Sequence, residues 1–447
     1  MRQAMTTHRA IVQLLRRAGF GATSSETDVA TAAGYAATVD RIIADLAAPD
    51  PGADAVPVPP LGSALEYENQ LRLARRSDDT ATIHAVEQQL SIQRRALIGG
   101  WLARMVASNR PVREKLTFLL HGHFPIALSK VSYPDLMARQ IALLRAEGAG
   151  NFADLTQAVA IDPAMLVWLD AASNVAADPN ENFARELMER FTMGIGAYRE
   201  ADVRAAAYCF TGWRIDLAQG GYVFDPALHS SVTQMVLGAP VTTGQEVVAL
   251  VTSTPASHRF VCAALWSHLA YPVAPSDHVV DQLSSAYAPS LSMTDLLRAI
   301  FDHPSFVSAT AAHGLVKQPV EWLIGALRSF GITADQVTTH QDFLLETLAG
   351  MGQIPCNPPS VGGWAQNQYW LSTSAALARW RCAHALASLV DLTAVADAPA
   401  AARIDILGSV LGVPAWSPTT VSVLRQAGGD PALLTTLALV SPDYVTN

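Results

Sequence analysis

Residues 65–107 read LEYENQLRLARRSDDTATIHAVEQQLSIQRRALIGGWLARMVA, and their pattern decides the fold class. Two long, charge-rich helical patterns flank Ser77-Asp-Asp-Thr80, a polar break too short for anything but a tight turn, so the stretch predicts an antiparallel helical hairpin. The second helix grows more apolar toward Trp101-Leu-Ala-Arg-Met105, so its far end enters a core while the tip of the hairpin protrudes. Outward from it the pattern stays helical. Ile11-Val-Gln-Leu-Leu-Arg-Arg-Ala-Gly-Phe20 spaces its apolar residues along one helical face and ends at glycines. A second helix starts near Ser25 to Asp28, and a third spans roughly Ala36 to Leu46. The stretch Pro51-Gly-Ala-Asp-Ala-Val-Pro-Val-Pro-Pro60 reads as a non-helical linker.

Beyond Pro111 nearly every segment is helical again. The exception is Trp213-Arg-Ile-Asp-Leu and Gly221-Tyr-Val-Phe, which alternate around Ala218-Gln-Gly-Gly and predict one short β-hairpin. Three helices, closing at Pro163, Pro304 and Pro442, share a leucine set at the same distance before the proline, which is a recurring helix stop rather than a repeat. The expected architecture is mostly α, a multi-helix globular bundle with one short β-hairpin and a protruding helical hairpin. Residues 1–50 form an N-terminal helical segment, 51–64 a Pro-rich linker, 65–110 the hairpin, and 111–447 the main helical domain with its β-hairpin near 213–224.

Composition narrows the function classes. Half of the 447 residues are hydrophobic and only 15% charged, ample for a large buried core. No apolar run approaches the ~18 residues of a membrane span, and Met1 to Ala10 lacks a secretory signal's apolar stretch, so the expectation is a cytoplasmic protein off the membrane. The net charge is −9 and the basic residues are scattered, which argues against nucleic acid as a partner. Cys209, Cys262, Cys356 and Cys382 lie far apart, as expected of buried free thiols. Neither a phosphate loop, a nucleophile elbow, a dinucleotide fingerprint nor a His-Glu-x-x-His pair occurs.

Two segments carry candidate chemistry. In Arg113-Glu-Lys-Leu-Thr-Phe-Leu-Leu-His-Gly-His-Phe-Pro125, an unbroken helix would point His121 and His123 apart. If Gly122 and Pro125 end the helix at His121, the two imidazoles flank an extended glycine and form half of a metal site. Otherwise one histidine caps carbonyls and the other is buried. In Pro179-Asn-Glu-Asn-Phe-Ala-Arg-Glu-Leu-Met-Glu-Arg-Phe-Thr-Met-Gly194, a helical wheel puts Phe183, Ala184, Leu187, Met188 and Phe191 on the apolar side. Arg185 then bridges Glu181 and Glu189, while Asn182, Glu186 and Glu189 share a face that meets a cation, a substrate or only solvent.

His229, on the loop after the hairpin, is a candidate third imidazole. His258 and His268 read as core histidines. The loop Cys356-Asn-Pro-Pro-Ser-Val-Gly-Gly-Trp-Ala-Gln-Asn-Gln-Tyr-Trp-Leu-Ser-Thr373 brings Trp364 and Tyr369-Trp370 over a neighbouring cleft, either as a pocket wall or as a core plug.

Taken together, Leu14-Leu-Arg-Arg-Ala-Gly-Phe-Gly-Ala-Thr23, Arg113-Glu-Lys-Leu with His121-Gly-His-Phe124, Glu181-Asn-x-x-Arg-Glu-Leu-Met-Glu189, Phe210-Thr-Gly-Trp213, Val320-Glu-Trp-Leu323 and Pro358-Pro-Ser-Val-Gly-Gly-Trp364 carry a resemblance. In this order and spacing the chain, from about residue 8 onward, resembles the bacterial family catalogued as domain of unknown function 1800. The resemblance implies one long helical unit, often exported and often encoded beside a family that looks like sulfatases or phosphatases. It implies no established reaction. The chain departs from the family after His229, where Ser230, Val232 and Gln234 replace an acid, a glycine and a lysine. It departs again at Leu120 and Gly122, where members often carry Trp and Asn.

The functional expectation is a metal-dependent enzyme, an oxidoreductase or a hydrolase, acting on a small organic molecule. His121, His123, Glu186 and His229 would hold a divalent transition metal (iron, manganese, copper or zinc). Haem is the lesser alternative. Arg185, Glu186 and Glu189 would do the catalytic work, with Asn182, Trp213 and Trp364 lining the substrate pocket. The competing expectation is a non-catalytic helical scaffold for a protein partner, with the Glu181 helix or the 65–107 hairpin as its contact surface. A homodimer is the default oligomer.

Overall fold

Helices make up 64% of the computed structural model, which describes residues 2–219 and 221–446, and strands are confined to two small ribbons. The chain opens with α1 (Arg2–Ala18), α2 (Ser24–Ala33) and α3 (Tyr35–Asp45). Thr23 starts α2 through a capping box: its hydroxyl accepts from the Glu26 amide, and the Glu26 carboxylate accepts from the Thr23 amide. Two otherwise orphaned N–H groups are thereby satisfied.

The linker expected at residues 51–60 is partly corrected. Pro51–Asp54 forms a one-turn helix, α4, capped by Asp50, whose carboxylate accepts from the Ala53 amide. Proline is tolerated at the first helical position because the N–H it lacks would have had no partner there.

The helical hairpin forms as the sequence predicts, from α5 (Ala64–Arg76) and α6 (Thr80–Ala107), with Asp79 capping α6. Its tip packs separately: Tyr67, Leu71, Val86 and Leu90 make a small cluster of their own, covered by Ile83 and Tyr133. From Leu97 onward α6 joins the main core, a continuous cluster that runs from Leu14 to Val445. Next come α7 (Pro111–His123) and α8 (Pro134–Glu147).

The predicted β-hairpin is present. β1 (Trp213–Asp216) pairs antiparallel with β2 (Gly221–Phe224), Trp213 opposite Phe224. A second ribbon was not expected: β3 (Gln234–Val236) pairs with β4 (Ala239–Val241) across Leu237 and Gly238, both at positive φ. Its strands are three residues long, and its turn holds a leucine where asparagine or aspartate usually signals the mirror-image turn. The proline stops hold, and each of those prolines also begins the next helical segment, with Asp162, His303 or Ser441 capping it. All four cysteines are buried and free. No helix among the described residues is long and apolar enough to cross a membrane.

Candidate functional site

The two histidines of α7 do not converge. The helix runs through Gly122 to His123 instead of breaking at His121. Residues two apart on a helix point roughly 200° from each other. His121 is fully buried, its Nε2 accepts from the Cys356 amide at 3.0 Å, and its ring lies edge-on to Trp101 and tilted against Trp364. Removal from water pushes its pKa down to about 4, so the ring is neutral and carries its proton on Nδ1, toward Gln140. His123 donates from Nε2 to the Phe191 carbonyl at 2.7 Å and sits among Phe124, Phe152 and Phe260; burial brings it down to about 4 as well.

Of the aromatic candidates, half-buried Trp364 covers His121, and Trp213 belongs to the core, buried against Phe183, Phe210 and Tyr222.

The acidic helix keeps its predicted apolar side: Phe183, Ala184, Leu187, Met188 and Phe191 are all buried. Its polar side is rearranged. The α-helical turns of Asn182–Glu186 pass into a π-helical segment, Leu187–Thr192, whose wider turn shifts Glu189 off the expected ladder. Arg185 bridges Glu181 at 2.9 Å and Glu200 of the next helix, not Glu189. Glu189 pairs with Arg190 at 3.1 Å and accepts from the Tyr198 hydroxyl at 2.9 Å. Glu186 lies 4.0 Å from Arg190, with Oε2 buried and without a hydrogen bond, and burial raises its pKa. Asn182 donates to the Leu169 carbonyl at 3.1 Å and is spent on anchoring. His229 donates from Nδ1 to the Thr211 carbonyl at 2.9 Å, edge-on to Phe224.

Among the described residues no three His, Cys, Asp or Glu side chains form a group that could hold a metal ion. The set His121, His123, Glu186 and His229 is therefore corrected: the unbroken α7 and the π-helical turn keep it from forming one ligand sphere.

The structure assembles a different group, whose members the sequence names separately without joining them. His123 and His268, the latter on the helix Pro255–Leu269, both line a small apolar cavity of about 20 Å³ with Leu119, Phe152, Leu265 and Met293. His268 Nε2 lies 3.0 Å from Gln366 Nε2, and burial pushes its pKa down to about 4 within the field of Glu321, His123 and Lys115. Lys115 and Glu321 form a buried ion pair. Lys317, also buried, places its ammonium over the Tyr444 ring, 3.4 Å from the centroid; desolvation holds its pKa well below the usual lysine range. The sequence signals for Glu321 are its place in the Val320-Glu-Trp-Leu323 motif and its spacing from Gln318, with which it forms a capping box. A lysine within a helical pattern reads as solvated until its neighbours in space are known.

A large groove lies between α5 and the β1–β2 ribbon. It encloses about 800 Å³ and is walled by Glu68, Arg72, Lys130, Tyr133, Arg214 and Ile215, among others. Lys130 is held by Asp170 at 2.7 Å.

Fold and site together define a large helical protein with two β-ribbons, two neutral imidazoles on a small apolar cavity and a mixed-charge groove beneath a helical hairpin. The model of the family described as "Protein of unknown function (DUF1800)" matches residues 13–446, nearly the whole chain, and the chain belongs to that family. No curated protein and no solved structure matches it.

Proposed function

We propose that the protein is a helical scaffold whose groove between α5 and the β1–β2 ribbon receives an extended polypeptide segment of a partner protein. The observation that carries this reading is the groove itself: about 800 Å³, with Glu68 and Asp225 set among Arg72, Lys130 and Arg214, and with Leu65, Ile215 and Val223 between them. A polypeptide offers donors, acceptors, charges of both signs and apolar side chains along one line, and such walls answer all four. The test is selection of displayed 12-residue peptides on the protein, repeated on the double variant Lys130→Glu, Arg214→Glu. Enriched peptides that bind the wild type and lose at least about tenfold on the variant support the reading. Enrichment indifferent to the two charges sinks it.

A second reading, a metal-dependent oxidoreductase or hydrolase acting on a small organic molecule, rests on His123 and His268. Both line one cavity and both are neutral, the form in which imidazole binds metals. The hydrogen bond from His123 Nε2 to the Phe191 carbonyl leaves Nδ1 with its lone pair, the kind of outer bond that orients metal-binding histidines. Elemental analysis of tag-free protein decides it. Iron, manganese, copper or zinc in stoichiometric amount, lost in His123→Ala and His268→Ala, is the expected result; wild type without metal rejects the reading.

A further inference from the structure

A second cavity lies where α1, α3 and the joint between α6 and α7 meet. The cavity measures about 360 Å³ and its walls divide by chemistry. Leu15, Ala18, Ile42, Pro111 and Val112 make an apolar floor, with Gly19, Gly21 and Ala22 adding no bulk between α1 and α2. A volume in this range holds a small organic molecule.

The polar groups at its rim are unequal in what they leave free. Glu26 is saturated: Arg328 reaches one oxygen at 3.1 Å, and the Thr23 amide donates to the other at 2.7 Å. Asp45 is held by Arg110 through Nη1. The donors, by contrast, are in surplus. Arg41, exposed at the rim, makes no hydrogen bond or ion pair among the described residues and acts on Asp45 only through its field, and the Arg110 guanidinium uses only Nη1. The first turn of α7 has no side-chain cap; Pro111 brings no N–H, the Arg110 amide is taken by Asp50 and Ser108 and the Arg113 amide by the Arg110 carbonyl, so the Val112 amide is the backbone donor at this rim. The two guanidiniums alone carry ten N–H bonds, against one carboxylate not yet saturated. A ligand whose polar end accepts hydrogen bonds completes this inventory, whereas one whose polar end donates them worsens it.

We propose that this cavity binds a small amphipathic monocarboxylate, its apolar body on the Leu15, Ile42 and Val112 floor and its carboxylate between Arg41 and Arg110. The site is separate from the groove and the histidine cavity, and does not depend on either reading given for them.

Isothermal titration of the full chain with octanoate, octan-1-ol and octylamine tests it, alongside Arg41→Ala, whose exposed side chain leaves the fold intact, and Ala22→Leu, which fills the cavity. The expected result is saturable octanoate binding at one site per chain, with the alcohol and the amine at least about tenfold weaker. Arg41→Ala should weaken octanoate by about tenfold and leave octan-1-ol unchanged, while Ala22→Leu should weaken both. Octylamine or octan-1-ol binding as tightly as octanoate overturns the carboxylate assignment. Octanoate binding that survives Ala22→Leu, or no saturable binding at all, overturns the site.

Discussion

Burial of a neutral imidazole ties the stability of this protein to pH. His121 is fully buried with a pKa of about 4, whereas in the unfolded chain it titrates near 6.5. Between those values the unfolded state binds a proton that the folded state refuses. The contribution is therefore complete above about pH 6.5 and is lost as pH falls toward about 4, at a cost of about 2–3 kcal/mol by pH 4.5. His121→Gln retains an acceptor for the Cys356 amide but does not titrate. Urea unfolding at pH 7.5 and 4.5 should show a smaller drop in stability for the variant than for the wild type; equal drops would mean that His121 does not resist protonation. Sequence reasoning placed His121 and His123 on opposite sides of an unbroken helix, and made a shared metal site conditional on a break at Gly122 that does not occur. Glycine permits a helix to end without requiring it, and here the continued packing of Leu119 and Leu120 in the core keeps α7 regular through His123.

At the scale of elements, the α5–α6 hairpin divides into an anchored and a lightly held half. Four residues, Tyr67, Leu71, Val86 and Leu90, form the separate cluster of the tip, whereas α6 from Leu97 onward lies in the main core. Local opening follows buried apolar contact, so the tip should open well before the molecule unfolds. Leu90→Ala removes side-chain volume from that cluster, a loss of about 2–4 kcal/mol. Hydrogen exchange should then quicken across residues 65–90 while residues 97–107 keep their protection. Acceleration spread over the whole chain would instead make the tip part of the global folding unit. The hairpin was legible because charge pattern and turn chemistry are local. The π-helical turn was not: it moves Glu189 from Arg185 to Arg190 and Tyr198, and a wheel drawn at 3.6 residues per turn cannot anticipate it.

Over the whole molecule, the C-terminal residues are drawn against both α1 and the interior of the chain. Arg16 donates to the Thr446 carbonyl at 2.8 Å, the Lys317 amide donates to Val445 at 2.9 Å, and the Trp322 indole donates to Leu439 at 2.9 Å. Tyr444, buried between Trp322 and the Lys317 ammonium, is the joint. Tyr444→Ala empties that space and is expected to destabilise the fold by about 3–5 kcal/mol, read as a lower urea midpoint with unchanged cooperativity. A shift worth less than about 1 kcal/mol would show that this joint contributes little.

The sequence alone determined the helical class, the hairpin, the first β-ribbon, the proline stops, the buried thiols and the family. Each of these is written in short-range periodicity, turn residues or motif order, which depend on neighbours along the chain. Only the tertiary structure decided that His123 meets His268, that Lys115 meets Glu321 across 206 residues, and that Arg41 and Arg110 share a cavity rim. These meetings are set by how helices pack, and desolvation, which brings the three imidazoles down to about 4, exists only once that packing has excluded water.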